Sequence, residues 1–465
     1  MRKSLAPMAA AAFAIVLAGC AQAPTYQRPA VELPAEWRAS APAFATDGRW
    51  WRIYGDAQLE RLVDEAFARN TDLAEAIARV DEARALVGEA EAALLPTVDG
   101  NLRRDRTGFS ERQAFPIPPG VPRDRNNTRV TVNVSWEPDL WGRLRAGKSA
   151  AQADAAASEA ARDGVRLALA AQVAKSWYAL RALDEQVALT KRTLALRESS
   201  LALQRKRADA GLVSNFDYRQ LEAEAAAARA ELPGLERDRE AEAAALAVLV
   251  GRTPKAIFEG TIERPDPAPA APVPATLPAG LPSELLLRRP DLVEAEQRLI
   301  AANARIAVAR TEMFPSIPLT GFLGSESAAL SNLFSGPAMI WQLAAAITQP
   351  IFAGGRLEAR VQGAEARERQ LVARYQGAIQ NAFREVRVAL AVQSRARETY
   401  DALAERSRAL AETVRLARLR YDNGVASQLD MIDAERGLLA AELGRIDALR
   451  AQRAAVADLF RALGG

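Results

Sequence analysis

The chain is written twice. Residues 59–251 and 283–464 match at a spacing that stays constant within each segment, the mark of an internal duplication and not of shared alanine content. Ahead of a central stretch the offset is 219, pairing Asp72 with Asp291, Leu73 with Leu292, Arg79 with Arg298 and Pro96 with Pro315. Beyond it the offset settles at 213, pairing Arg143 with Arg356, Leu144 with Leu357, Arg207 with Arg420, Gly211 with Gly424, Ser214 with Ser427 and Glu222 with Glu435. The drift lies between Pro96 and Arg143, where the copies are free to differ. Between the copies, residues 265–282 carry seven prolines, too many for a helix or a central strand and suited to an extended linker.

Each copy opens on a helical seam. Leu73, Val80, Val87 and Leu94 recur every seventh residue with Ala76, Ala83 and Ala90 three places on. Leu292, Leu299, Ile306 and Met313 repeat this with Ala295, Ala302 and Ala309. Such a large-and-small alternation lets neighbouring helices approach closely, as in a coiled coil, although an ordinary amphipathic bundle helix fits this segment too. From Trp141 to Gly211 there is no proline and Ala, Leu, Arg, Glu and Gln dominate, so one helix can run throughout. At 1.5 Å per residue, about 65 residues make a rod of roughly 100 Å. Leu357 to Asn423 repeats it. Both rods stop at a glycine suited to the left-handed position, Gly211 or Gly424. Both restart at a Ser-x-x-Asp capping box, Ser214 to Asp217 and Ser427 to Asp430. Return helices follow, the first expected to break at Pro233-Gly234 and the second to run on through Ile446-Asp447.

Between the opening helix and the rod the period changes to two. Val130, Val132, Val134 and Trp136 alternate with Arg129, Thr131, Asn133 and Ser135, and Trp341, Leu343, Ala345 and Ile347 repeat the pattern less cleanly. Partner strands are expected at about Val98–Asp105 and Ile317–Leu323, giving hairpins with tips at 106–128 and 324–338. One apolar and one polar face suit a half-buried sheet, or a membrane barrel with lipid outside and water inside. Four strands cannot close a barrel, whose smallest membrane forms need about eight, so several chains must contribute.

Residues 8–18 form an apolar run behind Arg2 and Lys3, too short to cross a bilayer, which reads as a secretory signal. It ends at Leu17-Ala18-Gly19-Cys20, and Cys20 is the only cysteine of 465 residues. The string resembles a bacterial lipoprotein box, which implies that Cys20 is lipidated and becomes the mature N-terminus. Ala21 stands where an Asp would imply retention at the inner membrane, so the resemblance points to the outer membrane. Removing Arg2 and Lys3 lowers the net charge from +3 to +1, leaving no field to gather nucleic acid. Histidine is absent, which removes imidazole bases and the usual zinc and haem ligand sets. No G-x-S-x-G elbow, P-loop or dinucleotide fingerprint stands in the chain, so no enzyme, metal or cofactor is expected apart from the lipid on Cys20.

The strings L-P-A-G-L-P-S-E-L-L-L-R-R-P-D-L at 277–292, G-R-T-P at 251–254, P-I-F-A-G-G-R at 350–356 and Y-D-N-G-V-A-S-Q-L-D-M-I-D at 421–433 carry a resemblance over the whole chain. They are similar to the TolC-type outer membrane efflux factors, in the lipidated OprM-like branch. The resemblance implies a mixed α and membrane β fold. Three chains would give four strands each to a twelve-stranded outer membrane β-barrel, continued by a twelve-helix periplasmic α-barrel. Its division of the chain is a signal at 1–19, a lipidated segment at 20–58, repeat 1 at 59–251 with a hairpin at about 97–137, a linker at 252–282, and repeat 2 at 283–465 with a hairpin at about 316–348.

The implied function is a passive exit duct for drugs and small toxic compounds. An inner-membrane RND-type pump would feed it through a periplasmic adaptor; the other partners are outer membrane lipid and two further copies, with no nucleic acid. Asp430 and Asp433 fall on the family's carboxylate rings at the periplasmic constriction, while Asp430 and Asp217 are also helix caps. Tyr421 matches a gate tyrosine whose expected partner is Asp217. Arg436 either neutralises Asp433 within the chain, reaches a neighbour, or forms a plain solvated pair. Ala426 replaces an arginine that some members carry in the turn. Gly211-Leu212-Val213-Ser214 and Gly424-Val425-Ala426-Ser427 match the surface that meets the adaptor, with Leu212, Val213 and Val425 expected to be exposed. The competing readings are a periplasmic adaptor and a structural coiled-coil lipoprotein. An adaptor would have one hairpin flanked by β-rich halves, and a rod would have no use for strands bearing Trp136 and Trp341.

Overall fold

The duplication fixes where the elements fall. The computed structural model describes residues 26–32, 48–110, 112, 114, 117–260, 262–264 and 288–465. Cys20, the signal and the proline-rich stretch at 265–282 lie outside them. In chain order come a 3-10 turn at Trp50–Tyr54, α1 (Ala57–Arg69), α2 (Thr71–Ala92), β1 (Thr97–Gly108), β2 (Asp124–Trp136), α3 (Arg143–Asp209), α4 (Asn215–Leu249) and α5 (Pro254–Glu259). The second copy gives α6 (Pro290–Thr311), β3 (Leu319–Ser327), β4 (Met339–Ala345), α7 (Arg356–Asp422) and α8 (Gln428–Leu463). Helices α2 and α6 have 22 residues each, and α3 and α7 have 67 each, with both ends displaced by the offset of their segment. No helix among the described residues is long and apolar enough to cross a membrane.

Several expectations need correction. Both seam helices end before their last heptad position, so Leu94 and Met313 lie in the turns after α2 and α6. The hairpins reach further than the alternation of apolar residues: β1 and β2 pair from Thr97↔Ser135 to Gly108↔Asp124, and β3 runs to Ser327. Polar residues continue the ladder because backbone groups, not side chains, make it. β4 stops at Ala345, short of Ile347, although Ser316 and Thr348 form an isolated bridge beyond it. Pro233 does not break α4, which runs unbroken around it. Its ring is exposed, so the displaced carbonyl of the preceding turn can tilt towards solvent.

The chain divides into two units. The first gathers Arg79–Ser158 and Ala295–Tyr375 with described residues up to Ala30, and holds the antiparallel sheet in the order β1-β2-β3-β4. Here Trp141 stacks on Phe314 at 5.5 Å and donates its indole N–H to the Pro315 carbonyl. Arg28 forks onto both oxygens of Glu296 at 2.6 and 2.8 Å, and Tyr26 donates to the same carboxylate. The second unit holds Val31–Ala78, Glu159–Glu294 and Gln376–Gly465.

The core of the second unit uses residues that the sequence reading assigned to the lipidated N-terminal segment. Asp56 caps α1, accepting from the Gln58 and Leu59 N–H groups, and its second oxygen accepts from the Trp177 indole at 2.8 Å. Trp50 stacks on Phe460 at 5.3 Å, and Tyr54 packs on Tyr178 at 4.9 Å. The motif at 251–254 has a backbone cause: Gly251 has φ +74°, and an added Cβ would lie 2.4 Å from the Arg69 carbonyl oxygen. Gly251→Ala is therefore expected to lower stability by about 2–3 kcal/mol in thermal denaturation, through strain and overlap together.

Candidate gate and channel surfaces

Both long helices end in the same reversal because glycine can enter the left-handed region without cost. Gly211 has φ +70° and Gly424 φ +71°. The Leu212 N–H reaches the Arg207 carbonyl at 2.9 Å and the Gly211 N–H that of Ala208 at 2.9 Å; Val425 to Arg420 and Gly424 to Tyr421 repeat the pair at 2.8 and 2.9 Å. These are Schellman ends. Ser214 and Ser427 then cap α4 and α8, accepting from the N–H of Asp217 and Asp430 at 3.2 Å. Only the second is a reciprocal capping box, with the Ser427 N–H donating to Asp430 at 2.8 Å. At the first, the Asp217 carboxylate accepts from the Ser214 hydroxyl instead. The Ser427 bonds hold the Asp430 carboxyl below its usual range.

Between the reversals and the aromatic core of the second unit, polar side chains join the helices. The Gln204 amide on α3 donates at 2.9 Å both to the Tyr421 hydroxyl on α7 and to Gln428 Oε1 on α8. Tyr421 thus has Gln204 as its partner within the chain, and not Asp217, whose carboxylate is held at its own cap. A second junction centres on Glu224 of α4, buried with Arg197 of α3. Arg197 reaches its carboxylate at 3.3 Å and donates to its carbonyl at 3.0 Å. Arg436 of α8 donates through Nε at 2.8 Å to the other oxygen, and also lies 3.5 Å from Asp433. Arg436 is therefore shared, with the buried Glu224 as its nearer partner. Its hydrogen bond, supported by the Arg197 charge, pulls the Glu224 carboxyl below the usual range against the cost of burial. Next to Arg436 on α8, burial pushes the Glu435 carboxyl up.

These junctions break the twofold repeat. The 213-residue offset places Leu410 opposite Arg197 and Gly437 opposite Glu224, so copy 2 has an apolar contact where copy 1 has an ion pair. Gln204, Gln428, Arg197 and Glu224 escaped the sequence reading, since each looks like an ordinary solvated helix residue in its own window. At the turns, Leu212 is 75% and Val425 67% exposed as expected, whereas Val213 is half-buried. Phe216 and Leu429, one offset apart, extend the exposed apolar surface, and the repeat could have found them.

In the first unit the strand register sorts the sheet into two faces. Val98, Leu102, Val130, Val132, Val134, Trp136, Leu319, Leu323, Met339, Trp341 and Leu343 share one face, where Leu102, Trp341 and Leu343 are strongly exposed. Asp99, Asn101, Arg103, Arg129, Thr131, Asn133, Thr320 and Gln342 share the other. Among the described residues, each of β1 and β4 has one neighbouring strand, leaving two open ladder edges.

The profile of the family described as "Outer membrane efflux protein" matches residues 62–252 and 281–465. The chain is 36% identical to outer membrane protein OprJ of Pseudomonas aeruginosa, covering 100% of this chain and 97% of that protein. It is 31% identical to the cation efflux system protein CusC of Escherichia coli, covering 97% of each. It superposes on the open-state outer membrane channel MtrE of Neisseria gonorrhoeae with a TM-score of 0.84 at 34% identity, covering 96% of this chain and 98% of that one.

Proposed function

The chain belongs to the outer membrane efflux protein family, and from that premise we propose that three copies close their sheets into one twelve-stranded barrel and their helices into a periplasmic duct. The four-stranded sheet with one apolar face and two unpaired edges carries this reading. In lipid those edges must be paired, and further copies of the same sheet are the partners at hand. The apolar face then meets lipid and the polar face lines water.

The protein is an outer membrane efflux channel. In the proposed assembly it is a passive exit, driven by an inner-membrane RND-type pump through a periplasmic adaptor, for drugs and small toxic compounds. The adaptor meets the turns at 211–214 and 424–427, where Leu212 and Val425 offer apolar contact. Cys20 carries lipid, and no other cofactor takes part. Asp430, Asp433, Tyr421, Asp217 and Arg436 form the gate. Threefold repetition brings the exposed Asp430 and Asp433 into rings of like charge that favour cations in the constriction.

Planar bilayer recording tests this assignment. Wild-type trimers are expected to give small, cation-preferring pores. Asp430→Ala with Asp433→Ala should raise conductance and reduce the cation preference. Tyr421→Phe should raise conductance less, since it removes one hydrogen bond worth about 1 kcal/mol. Unchanged pores in all variants would remove these residues from the gate.

A further inference from the structure

The membrane-facing side of the sheet does not end in neutral residues at its hairpin-tip end. Along β1 the apolar face runs Val98, Gly100, Leu102 and then continues, on the same side, as Arg104 and Arg106. The register shows where the change occurs. Leu102 lies level with Val130, Ser325 and Met339; the next rung outward is Arg104, Thr128 and Ser327, and the one beyond is Arg106 with Asn126. The apolar band thus gives way to polar residues at the Arg104 rung on β1 and β2 and one rung earlier, at Ser325, on β3, with arginine the only charged residue type on this face of β1.

The arginines of the opposite face have partners. Arg103 pairs with Asp105 at 3.1 Å, Arg129 lies 3.8 Å from Glu326 and 4.4 Å over the Phe322 ring, and Arg125 lies 5.0 Å over Phe109. Arg104 is exposed and has no partner among the described residues. Arg106 pairs with Asp124 at 3.0 Å, both side chains largely in the open. One positive charge per chain is left uncompensated at the outer border of the apolar face.

We propose that Arg104, assisted by Arg106, binds the phosphate of the phosphorylated glycolipid, lipopolysaccharide, in the outer leaflet. The inference rests on the barrel reading above, which sets Leu102 against acyl chains and Arg104 one rung further out, at headgroup depth. An anionic headgroup supplies the charge that the sheet lacks there. The planar guanidinium offers two parallel donors to a phosphate, and a long aliphatic stem lets an arginine at this rung reach the headgroup region.

The test uses the purified, delipidated full-length channel titrated with lipid A and with dephosphorylated lipid A, the bound glycolipid being counted by native mass spectrometry. Wild-type protein is expected to retain the phosphorylated form about tenfold better, the scale of a lost pair of charge-assisted bonds. Arg104→Glu with Arg106→Glu should abolish that preference and Arg104→Lys should keep part of it. Arg103→Glu, on the opposite face, should leave it intact. Equal retention of both glycolipids by the wild type, or equal loss from Arg103→Glu, overturns the proposal. Carbonate extraction of the membranes from which the channel is purified separates the two readings. An inserted channel indifferent to phosphate sinks the lipid contact alone, whereas a wild-type chain released by carbonate sinks the barrel on which it rests.

Discussion

Glu224→Ala is expected to give a less stable channel with a larger conductance. The carboxylate joins three helices, since Arg197 of α3 and Arg436 of α8 both point at it from either side of α4. Arg197 is only 5% exposed. Removing Glu224 takes away that guanidinium's ion-pair partner and leaves only the more distant Glu435 carboxylate to offset it, and breaking a buried pair costs about 3–5 kcal/mol. Arg436 still has Asp433, so the loss falls on the packing of α3 against α4. The duplication supplies a rescue. Arg197→Leu with Glu224→Gly copies Leu410 and Gly437 of the second repeat, where a Cβ on Gly437 would lie 3.4 Å from the Leu410 side chain. Replacing a buried pair by matched apolar groups is often near neutral, so the double variant should regain most of the stability. Thermal denaturation of the detergent-solubilised channel and single-channel recording read the two effects. Wild-type behaviour from Glu224→Ala, or a double variant worse than the single one, would show that the junction does not hold the helices.

Gly324→Ala should prevent stable assembly in the membrane. Gly324 is paired with Thr131, and an added Cβ would lie 2.0 Å from the Val130 carbonyl oxygen and 2.7 Å from the Thr131 Cα. Both neighbours are backbone, so relief requires β2 and β3 to separate and their ladder to open. Overpacking of this kind costs about 1–3 kcal/mol in a core, and lost ladder bonds in lipid add to it. Gly100→Ala is the control. Gly100 lies on β1 with open space around its Cα, so alanine there should insert normally. The yield of membrane-embedded, heat-resistant protein decides it. Equal yields from the two variants would mean that the β2–β3 spacing is not what limits the sheet.

The repeat made most of the fold legible. A constant offset requires paired elements, and matched helices of 22 and 67 residues follow from it. Period-two alternation revealed the faces of the strands, and a glycine followed by Ser-x-x-Asp revealed the reversals. What escaped was the part of the structure set by contacts between distant segments. Trp50, Tyr54 and Asp56 are partnered by α3 and α8 and stand ahead of the first repeat, so neither the repeat nor local periodicity announced them. Tyr421 finding Gln204 instead of Asp217 depends on which faces α3 and α7 turn to each other, and a single helix does not encode that. Glu224 sits in an alanine-rich stretch where a charge reads as solvated, and only the approach of α3 and α8 buries it.

The ring of Trp50 rests on Phe460, and the Tyr54 hydroxyl donates to the Arg453 carbonyl at 2.6 Å, across 399 positions of sequence. That core closes only after nearly the whole polypeptide has been synthesised and exported, because no earlier segment supplies those surfaces. During secretion, Trp50 therefore waits for Phe460 and the Tyr54 hydroxyl for the Arg453 carbonyl. A chain in that state is prone to aggregate until its final helix arrives, since exposed apolar surface and unpaired strand edges are what drive aggregation.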